Sequence, residues 1–181
     1  MHNSLARARF ELKDIRSRNT ASQQINPLLT NLLGFEQKQT FYILLQDDRE
    51  LRPTGGFVQA IGMIQIENGR SLETQFLSTH EVDARVFGRV AAPAEVASFL
   101  GEDSLYFRDV NWDPDFSTTS QKVSWFVGEA LGQPVDGILG INYGLIRDIL
   151  AVIGEIEVDG YNQTVDAWNL YNKLELLLLE E

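Results

Sequence analysis

Apolar and polar residues in the first half of the chain follow patterns typical of β-strands. The run from Thr40 to Gln46 (TFYILLQ) is apolar almost throughout, which predicts a strand buried on both faces and central in a sheet. Phe57 to Glu67 predicts a long strand, and Asn68-Gly69 predicts a tight hairpin turn into a third strand, Leu72 to Ser78. Two of these three strands are therefore expected to be antiparallel.

The second half of the chain alternates helical and strand patterns. Residues 93–100 and 117–131 predict helices, the second with Ser117 as candidate N-cap and Gly132 as its stop. The later predicted elements are a buried strand from Val135 to Ile141, a helix from Tyr143 to Ile153 stopped by Gly154, a strand from Glu155 to Val158 and a helix from Thr164 onward. This alternation predicts an α/β fold, an α/β/α sandwich whose central mixed sheet contains the antiparallel hairpin.

The N-terminal segment, residues 1–35, is predicted to be helical. Residues 4–18 have an amphipathic, basic pattern, and residues 23–33 predict a second short helix closed by Gly34. We expect this segment to pack on one α/β/α domain formed by residues 36–181. In a longer parent protein, the basic helix could instead follow a membrane anchor.

Composition and charge exclude several classes of function. The 181 residues include 15 Lys and Arg against 26 Asp and Glu, a net charge of −11, and residues 101–181 hold four of the basic and fifteen of the acidic residues. A nucleic-acid partner, which needs a clustered basic face, is therefore not expected. With no cysteine, two histidines and no GxxxxGK[ST], GxGxxG or GxSxG motif, thiol catalysis, zinc sites and the common nucleotide-binding and hydrolase classes drop out.

Two features of the sequence concern a parent protein. No stretch reaches the roughly 18 apolar residues of a membrane-spanning helix. The chain nevertheless ends close after an apolar run, Leu176-Leu177-Leu178-Leu179, that needs covering. We therefore expect this chain to be a segment excised from a longer protein.

The first stretch with chemical promise runs from Arg49 to Gly56 (RELRPTGG), directly after the predicted central strand. Ligands of open α/β sheets usually bind at that position. Its two guanidinium groups could grip phosphate oxygens, and the Gly55-Gly56 turn could present backbone N–H groups to an anion. The alternative is a surface loop whose glycines permit a tight turn.

The second stretch runs from Arg108 to Phe116 (RDVNWDPDF) and has oxygen-bearing side chains at alternate positions, a layout suited to Mg²⁺ or Ca²⁺. It is not an EF-hand loop, because Pro114 stands where that loop needs Gly and Ser120 where it needs Glu. One or two of its carboxylates could hold a metal that also contacts a phosphate. The alternative is a solvated acidic loop before a helix, which the helix dipole favours.

Three stretches of this sequence resemble a known family: YILLQDDRELRPTGGF (Tyr42 to Phe57), RDVNWDPDF, and VDGILGINYGLIRDILAVIGEIEV (Val135 to Val158). On these motifs the chain is identified as a member of the bacterial cell-envelope family catalogued as domain of unknown function 4012. The resemblance covers roughly residues 28–165. It implies an extracytoplasmic location in the cell envelope, with anchoring by a membrane helix outside this chain.

That family is in turn similar to the LytR-CpsA-Psr phosphotransferases, which move glycopolymers from a polyprenyl-pyrophosphate carrier onto the cell wall. The similarity implies the same α/β/α sandwich. In those enzymes arginines hold the pyrophosphate, an aspartate helps to bind Mg²⁺, and a hydrophobic pocket takes the lipid. Mg²⁺ and arginine would stabilise the charge that develops on the phosphoryl oxygens.

The resemblance can be carried over to individual residues. Arg52 falls on the first arginine of an Arg-x-Asp-Thr motif, whose last two positions are Thr54-Gly55 here, so that an acidic metal ligand is missing there. Thr79-His80-Glu81-Val82 stands where the relatives have Pro-Arg-Asp-Thr. The segment from Arg108 to Trp112 overlies a Lys-Ile-Asn stretch and keeps a basic residue and Asn111.

Three hypotheses follow. The first is an extracytoplasmic envelope domain that binds a phosphate- or glycan-bearing ligand, such as a polyprenyl phosphate or a cell-wall glycan. The second is a Mg²⁺-dependent glycopolymer phosphotransferase, and the third is a structural or partner-docking domain whose arginines pair with carboxylates such as Glu50 or Asp109. The predicted ligand-binding residues are Arg52, Thr54, Gly55, Gly56, Arg108 and Asn111, and the predicted metal ligands are Asp109 and Asp113.

Overall fold

The structure is a computed structural model and describes residues 26–158 and 163–178. The predicted helix over residues 4–18 lies outside these ranges. Residues 26–32 are helical (α1), in agreement with the helix predicted to end before Gly34. Gly34 has φ of +67°, and its N–H donates to the Asn31 carbonyl oxygen at 2.9 Å, so this glycine supplies the left-handed conformation at the predicted stop.

The fold is mixed α/β, with a central mixed sheet of four strands within the described residues. The strands are β1 (Gln39–Asp47), β2 (Phe57–Glu67), β3 (Arg70–Ser78) and β4 (Gly137–Asn142), in the order β3-β2-β1-β4. Strand β1 is parallel to β4, with Tyr42 opposite Ile138 and Leu44 opposite Gly140. The prediction that the apolar run of β1 lies centrally in the sheet is confirmed, because it lies between β2 and β4 and is buried along most of its length.

The hairpin between β2 and β3 turns at Asn68-Gly69, as predicted. Asn68 has φ of 51° and Gly69 has φ of 72°, the positive values that a two-residue type I′ turn requires. Strand β3 begins at Arg70, two residues before the predicted start at Leu72. Turn chemistry therefore located the hairpin, although the apolar pattern underestimated the length of its second strand.

The helices lie mainly between β3 and β4 and after β4. They are α2 (Thr79–Arg85), α3 (Ala94–Leu100), α4 (Phe116–Leu131), α5 (Tyr143–Ile153) and α6 (Leu170–Leu178), and a short 3₁₀ turn spans Phe107–Asp109. Strands β5 (Ile156–Val158) and β6 (Gln163–Val165) form a separate antiparallel pair. No helix in the described ranges is both long enough and apolar enough to cross a membrane.

Helix α2 was not predicted, although the sequence contains its signal. Ser78 Oγ accepts a hydrogen bond from the Glu81 N–H at 3.2 Å, and the Ser78 N–H donates to Glu81 Oε2 at 2.7 Å. This reciprocal pair is a capping box, whose Ser-x-x-Glu spacing stands in the sequence. The Ser78 N–H also holds the pKa of the Glu81 carboxyl below its usual value. The Glu81 carboxylate therefore helps to start α2.

Two predicted helix starts are wrong. The N-cap of α4 is Asp115, whose carboxylate accepts from the backbone N–H groups of Ser117 and Thr118, so Ser117 lies inside the first turn. The helix predicted from Thr164 begins at Leu170, because residues 163–165 pair with β5.

The start of α6 also has a local polar cause. Asp166 Oδ1 accepts from the backbone N–H groups of Trp168 and Asn169, and Asn169 Oδ1 accepts from the Asp166 N–H. These bonds satisfy backbone donors just before the helix, as caps do. Asp166 and Asn169 therefore indicate where α6 starts, whereas the apolar pattern alone did not.

The hydrophobic core lies between the central strands and the helices that follow β3. Phe107 and Phe126 meet edge to face, with ring centroids 5.6 Å apart, and both are buried. The buried core residues include Tyr42, Leu44, Val58, Ile61, Val82, Val110, Val123 and Val127. Because Phe107 and Val110 belong to this core, the loop that carries the second motif is anchored at both ends of its 3₁₀ turn.

The described chain divides into two compact units. One consists of residues 26–39 and 65–73, and the other of residues 40–64 together with the described residues from 74 onward. Within the first unit the hairpin turn bonds to the end of α1, with the Gly69 N–H donating to the Leu33 carbonyl oxygen at 2.8 Å. The predicted boundary between residues 35 and 36 stays a prediction. All of the predicted site residues belong to the second unit.

Candidate functional site

The loop between β1 and β2 folds back against the end of β1. The buried Gln46 side chain donates through Nε2 to the Thr54 carbonyl oxygen at 3.0 Å and to the Gly56 carbonyl oxygen at 3.4 Å. Gly56 has φ of +134°, and a Cβ there would lie 2.3 Å from the Asp47 carbonyl oxygen. Gly56 is therefore required because two backbone segments approach closely here. This favours the alternative in which the glycines of this loop serve to permit a tight turn.

Arg52 points toward the second motif and is largely enclosed. Its side chain is 16% exposed, and Nη2 donates to Asp109 Oδ1 at 3.2 Å. The guanidinium carbon lies 5.1 Å from the Phe57 ring centroid and 5.9 Å from that of Trp112, within cation–π range. Two aromatic rings and one carboxylate thus hold this side chain in place.

Asp109 is the centre of the charged cluster. The residue is 1% exposed, and its second oxygen, Oδ2, lies 3.4 Å from Arg108 Nε. Arg108 also donates to Glu102 Oε1 at 2.5 Å and lies over the Tyr106 ring. Arg52, Asp109, Arg108 and Glu102 form a chain of ion pairs with two positive and two negative groups, so their formal charges cancel. We call these four residues the ion-pair chain.

Asn111 ties the two motif loops together. It is completely buried, and its Nδ2 donates to the Gly56 carbonyl oxygen at 2.8 Å, across 55 positions of sequence. The hydrogen bond fixes the Gly55-Gly56 turn against the segment that follows the 3₁₀ turn. The structure therefore brings Arg52, Gly56, Arg108, Asp109 and Asn111 together. Both arginines are paired with carboxylates, as the structural hypothesis predicts and against the hypothesis of a shared ligand site.

Asp113 has other partners. Its Oδ1 accepts from the Asp115 N–H at 2.9 Å, and its Oδ2 lies 3.8 Å from Lys122 Nζ. Among the residues that the structure describes, no group of three His, Cys, Asp or Glu side chains is arranged to hold a metal ion. A cation beside Asp109 would have to replace at least one arginine, since a guanidinium faces each of its oxygens.

An open pocket of about 390 Å³ lies beside these loops, lined by Pro53, Thr54, Pro114, Phe116 and Gly140. Each motif loop supplies one wall, and β4 supplies Gly140. Gln46 and Asn142 are opposite each other at the carboxyl ends of the parallel strands β1 and β4, so the pocket lies at the sheet edge where α/β ligands usually bind. Its size is in the range of small-ligand pockets.

Several buried polar atoms around the loops lack a hydrogen-bond partner within the described protein. Six side-chain atoms in the described residues have this property, and four belong to the two motifs or to the ion-pair chain. These four are Arg52 Nε, Thr54 Oγ1, Glu102 Oε2 and Asn111 Oδ1. Folded proteins rarely leave buried polar atoms unpaired, so these four atoms need partners that the described protein does not supply.

The acidic end of the first motif has separate contacts. Arg49 donates to both oxygens of Asp47, at 3.0 and 2.8 Å, and this guanidinium lowers the pKa of the Asp47 carboxyl. The Tyr171 hydroxyl donates to Asp48 Oδ1 at 2.9 Å, and Arg49 lies 5.1 Å over the Tyr171 ring. Arg49 therefore contacts α6 through Tyr171, whereas Arg52 contacts Asp109. The two arginines of the first motif do not face one common site.

Two residues that contact the motif loops, Gln46 and Glu102, were not among the predicted site residues. Gln46 is a polar residue at the end of an apolar strand, and it bonds the loop that follows. Glu102 neutralises Arg108. A buried amide in an otherwise apolar run was a signal for Gln46, because such a group needs partners. No local sequence pattern indicated a role for Glu102, because its ion pair with Arg108 depends on the tertiary path of the chain.

The fold and the loops define the class: a mixed α/β domain with two polar loops tied together at the carboxyl end of its central strand. Residues 36–176 match the family described as protein of unknown function (DUF4012), and because this match covers most of the chain, the chain belongs to that family. Membership predicted from the motifs is therefore confirmed. No curated protein and no solved structure matches the chain. The similarity to the LytR-CpsA-Psr phosphotransferases stays a prediction.

Proposed function

We propose that this chain is an extracytoplasmic cell-envelope domain of the α/β/α sandwich type that binds a phosphate- or glycan-bearing envelope ligand at its two motif loops. The observation that carries the proposal is the concentration of unpaired buried polar atoms at Arg52, Thr54, Glu102 and Asn111. A bound ligand would supply the missing partners. The adjacent pocket at the carboxyl end of β1 supports the same place.

The envelope location rests on the resemblance to the cell-envelope family and, through it, to the LytR-CpsA-Psr phosphotransferases. Their transfer chemistry is not part of the proposal. Mg²⁺ would need carboxylate oxygens, and both oxygens of Asp109 face arginines at 3.2 and 3.4 Å. Polyprenyl phosphates and cell-wall glycans remain the proposed ligand classes, with or without a metal.

A second candidate is a structural or partner-docking domain, which the pairing of both arginines with carboxylates favours. Arg52 and Arg108 are each within 3.4 Å of Asp109, as that hypothesis required. In this case the motifs hold loops together, and removing an arginine lowers stability without affecting any ligand. The two candidates therefore predict different results for the same variants.

The experiment is a calorimetric titration with a water-soluble polyprenyl pyrophosphate analogue that carries a sugar, with and without Mg²⁺. We expect the parent chain to bind and Arg52→Ala to weaken binding at least about tenfold, because loss of a hydrogen bond to a charged group costs roughly 1.5–3 kcal/mol. The matched control is Arg147→Ala, which removes an exposed arginine paired with its neighbour Asp148. It should bind like the parent.

A second variant covers the case in which Arg52→Ala does not fold. Thr54→Val keeps the shape of the side chain and removes the hydroxyl group, whose oxygen has no partner within the described residues. We expect it to fold and to bind the analogue more weakly. Failure of the parent chain to bind would contradict the ligand-binding proposal and leave the structural candidate.

A further inference from the structure

Two aromatic side chains form a ledge beside the ion-pair chain. Phe99, near the end of α3, is 78% exposed, and its ring centroid lies 6.3 Å from that of Trp112, with the ring planes 32° apart. Trp112 in turn covers the guanidinium group of Arg52. We call Phe99 and Trp112 the aromatic ledge. A large exposed ring next to a buried polar cluster offers a ligand both an apolar face and hydrogen bonds.

The ledge and the ion-pair chain are continuous. Starting from Phe99, the contacts run through Trp112 to Arg52, then to Asp109 and Arg108, and end at Glu102. Glu102 follows Phe99 by three positions in the sequence, so the first and last residues of this series of contacts are also close along the chain. The aromatic ledge therefore meets the ion-pair chain where Trp112 faces Arg52.

Charge argues against an anion as the group held there. The two arginines of the ion-pair chain are balanced by Asp109 and Glu102, and the whole chain carries a net charge of −11. A phosphate group would meet no excess positive charge locally and a repulsive field from the protein as a whole. Both effects favour a neutral ligand.

The unpaired atoms also indicate the chemistry of the ligand. Arg52 Nε is a donor, Glu102 Oε2 and Asn111 Oδ1 are acceptors, and Thr54 Oγ1 can do either. A phosphate dianion supplies acceptors alone and a metal ion satisfies acceptors alone. Hydroxyl groups both donate and accept, so a polyhydroxyl ligand can pair with the whole set.

We infer that the site takes a neutral carbohydrate chain, with one sugar ring stacked on the aromatic ledge and its hydroxyl groups directed at the polar atoms of the two motif loops. The inference rests on the proposed ligand-binding function and narrows it to the glycan part of the ligand. The stacking ring would use its apolar C–H face against Phe99, and the pocket at Thr54 and Phe116 has room for a neighbouring part of the chain.

The test is calorimetry with three separate probes: a neutral N-acetylglucosamine hexasaccharide, inorganic pyrophosphate, and Mg²⁺ alone. We expect the full chain to bind the hexasaccharide and neither of the other two. Phe99→Ala should weaken that binding about three- to tenfold, the size of effect expected for one aromatic stacking contact. The control is Phe87→Ala, which removes a 100% exposed phenylalanine that makes no ring contact within the described residues. It should bind like the parent.

The possible results separate the two proposals. If Phe99→Ala binds the hexasaccharide as tightly as the parent chain, the inference that a sugar ring stacks on the aromatic ledge is wrong. Both phenylalanines are exposed, so neither substitution should disturb folding. Binding of pyrophosphate without the hexasaccharide would overturn the inference and keep the proposed function, whereas binding of Mg²⁺ alone would overturn the inference. Failure of all three probes, together with failure of the sugar-bearing pyrophosphate analogue, would overturn both.

Discussion

Asp109 shows how a single buried carboxylate organises the site. Arg52 and Arg108 come from segments more than fifty positions apart, and each directs a nitrogen at one of its two oxygens. Burying a lone carboxylate would be costly, so this arrangement is stable because both guanidinium groups are present. The residue that the sequence marked as a candidate metal ligand already has two cationic partners.

We predict that Asp109→Asn lowers the free energy of unfolding by about 2–3 kcal/mol, because it keeps the shape of the side chain but leaves the enclosed Arg52 without a counter-charge and Arg108 with Glu102 alone. Urea denaturation measures the change. The matched control is Asp113→Asn, since Asp113 is partly exposed and its nearest cation, Lys122, is 3.8 Å away. Its effect should stay below about 1 kcal/mol. Equal losses for the two variants would contradict the central role of Asp109.

At the scale of elements, polar caps set the helix boundaries that apolar spacing leaves open. Asp115 caps α4 with both carboxylate oxygens, and Asn142 caps α5 by accepting from the Leu145 N–H at 2.9 Å. The predicted bounds of α5 were correct because an apolar pattern and a stop glycine agree there. The predicted start of α4 was wrong because Asp115 and Ser117 are both good N-cap residues. In the structure the Asp115 carboxylate makes the capping hydrogen bonds.

Asp115→Ala is expected to lower the free energy of unfolding by about 0.5–2 kcal/mol, the usual cost of removing an N-cap. Ser117→Ala should change it by less than about 0.5 kcal/mol, because that side chain lies in the exposed first turn. Chemical denaturation followed by circular dichroism compares the two. A larger effect of Ser117→Ala would restore the original assignment of the cap.

Short strands are the elements that sequence patterns identify least well. Strand β6 has three residues, and its register, with Ile156 opposite Val165, depends on pairing with β5. Three residues cannot show a period that distinguishes a strand from a helix. The prediction of a helix there was therefore wrong for a physical reason: the decisive interaction is with a neighbour and not within the segment.

For the whole molecule, one buried carboxyl, Asp47, and one partly buried carboxyl, Asp83, respond to pH in opposite ways. The Arg49 guanidinium lowers the pKa of the Asp47 carboxyl, whereas removal from water raises the pKa of the Asp83 carboxyl. Asp47 therefore stabilises the fold above the unfolded pKa of about 3.9, and this contribution is lost as the pH falls through its lower folded pKa. Asp83 opposes folding at neutral pH, and its penalty is relieved as the pH falls through its raised folded pKa.

We predict that Asp83→Asn raises the free energy of unfolding at neutral pH and that the gain shrinks on acidification. The amide oxygen can still accept the hydrogen bond from the Phe107 N–H, which Asp83 Oδ1 accepts at 2.9 Å. Asp47→Asn should instead lower stability at neutral pH and make its decline below about pH 4 shallower. Urea titrations at several pH values test both signs. Parallel pH profiles for parent and variants would contradict them.

The sequence by itself determined the central strand, the Asn-Gly hairpin, helix α5 and family membership, because each depends on periodicity, turn chemistry or a contiguous motif. It also marked Arg52, Arg108 and Asp109 as chemically important. Only the tertiary structure decided that these three charges form ion pairs and are neutralised together with Glu102, that Asn111 joins the two motif loops and that the aromatic ledge lies beside them. Local patterns specify which elements form, whereas the partner of a charge or an amide is set by the path that brings distant segments together.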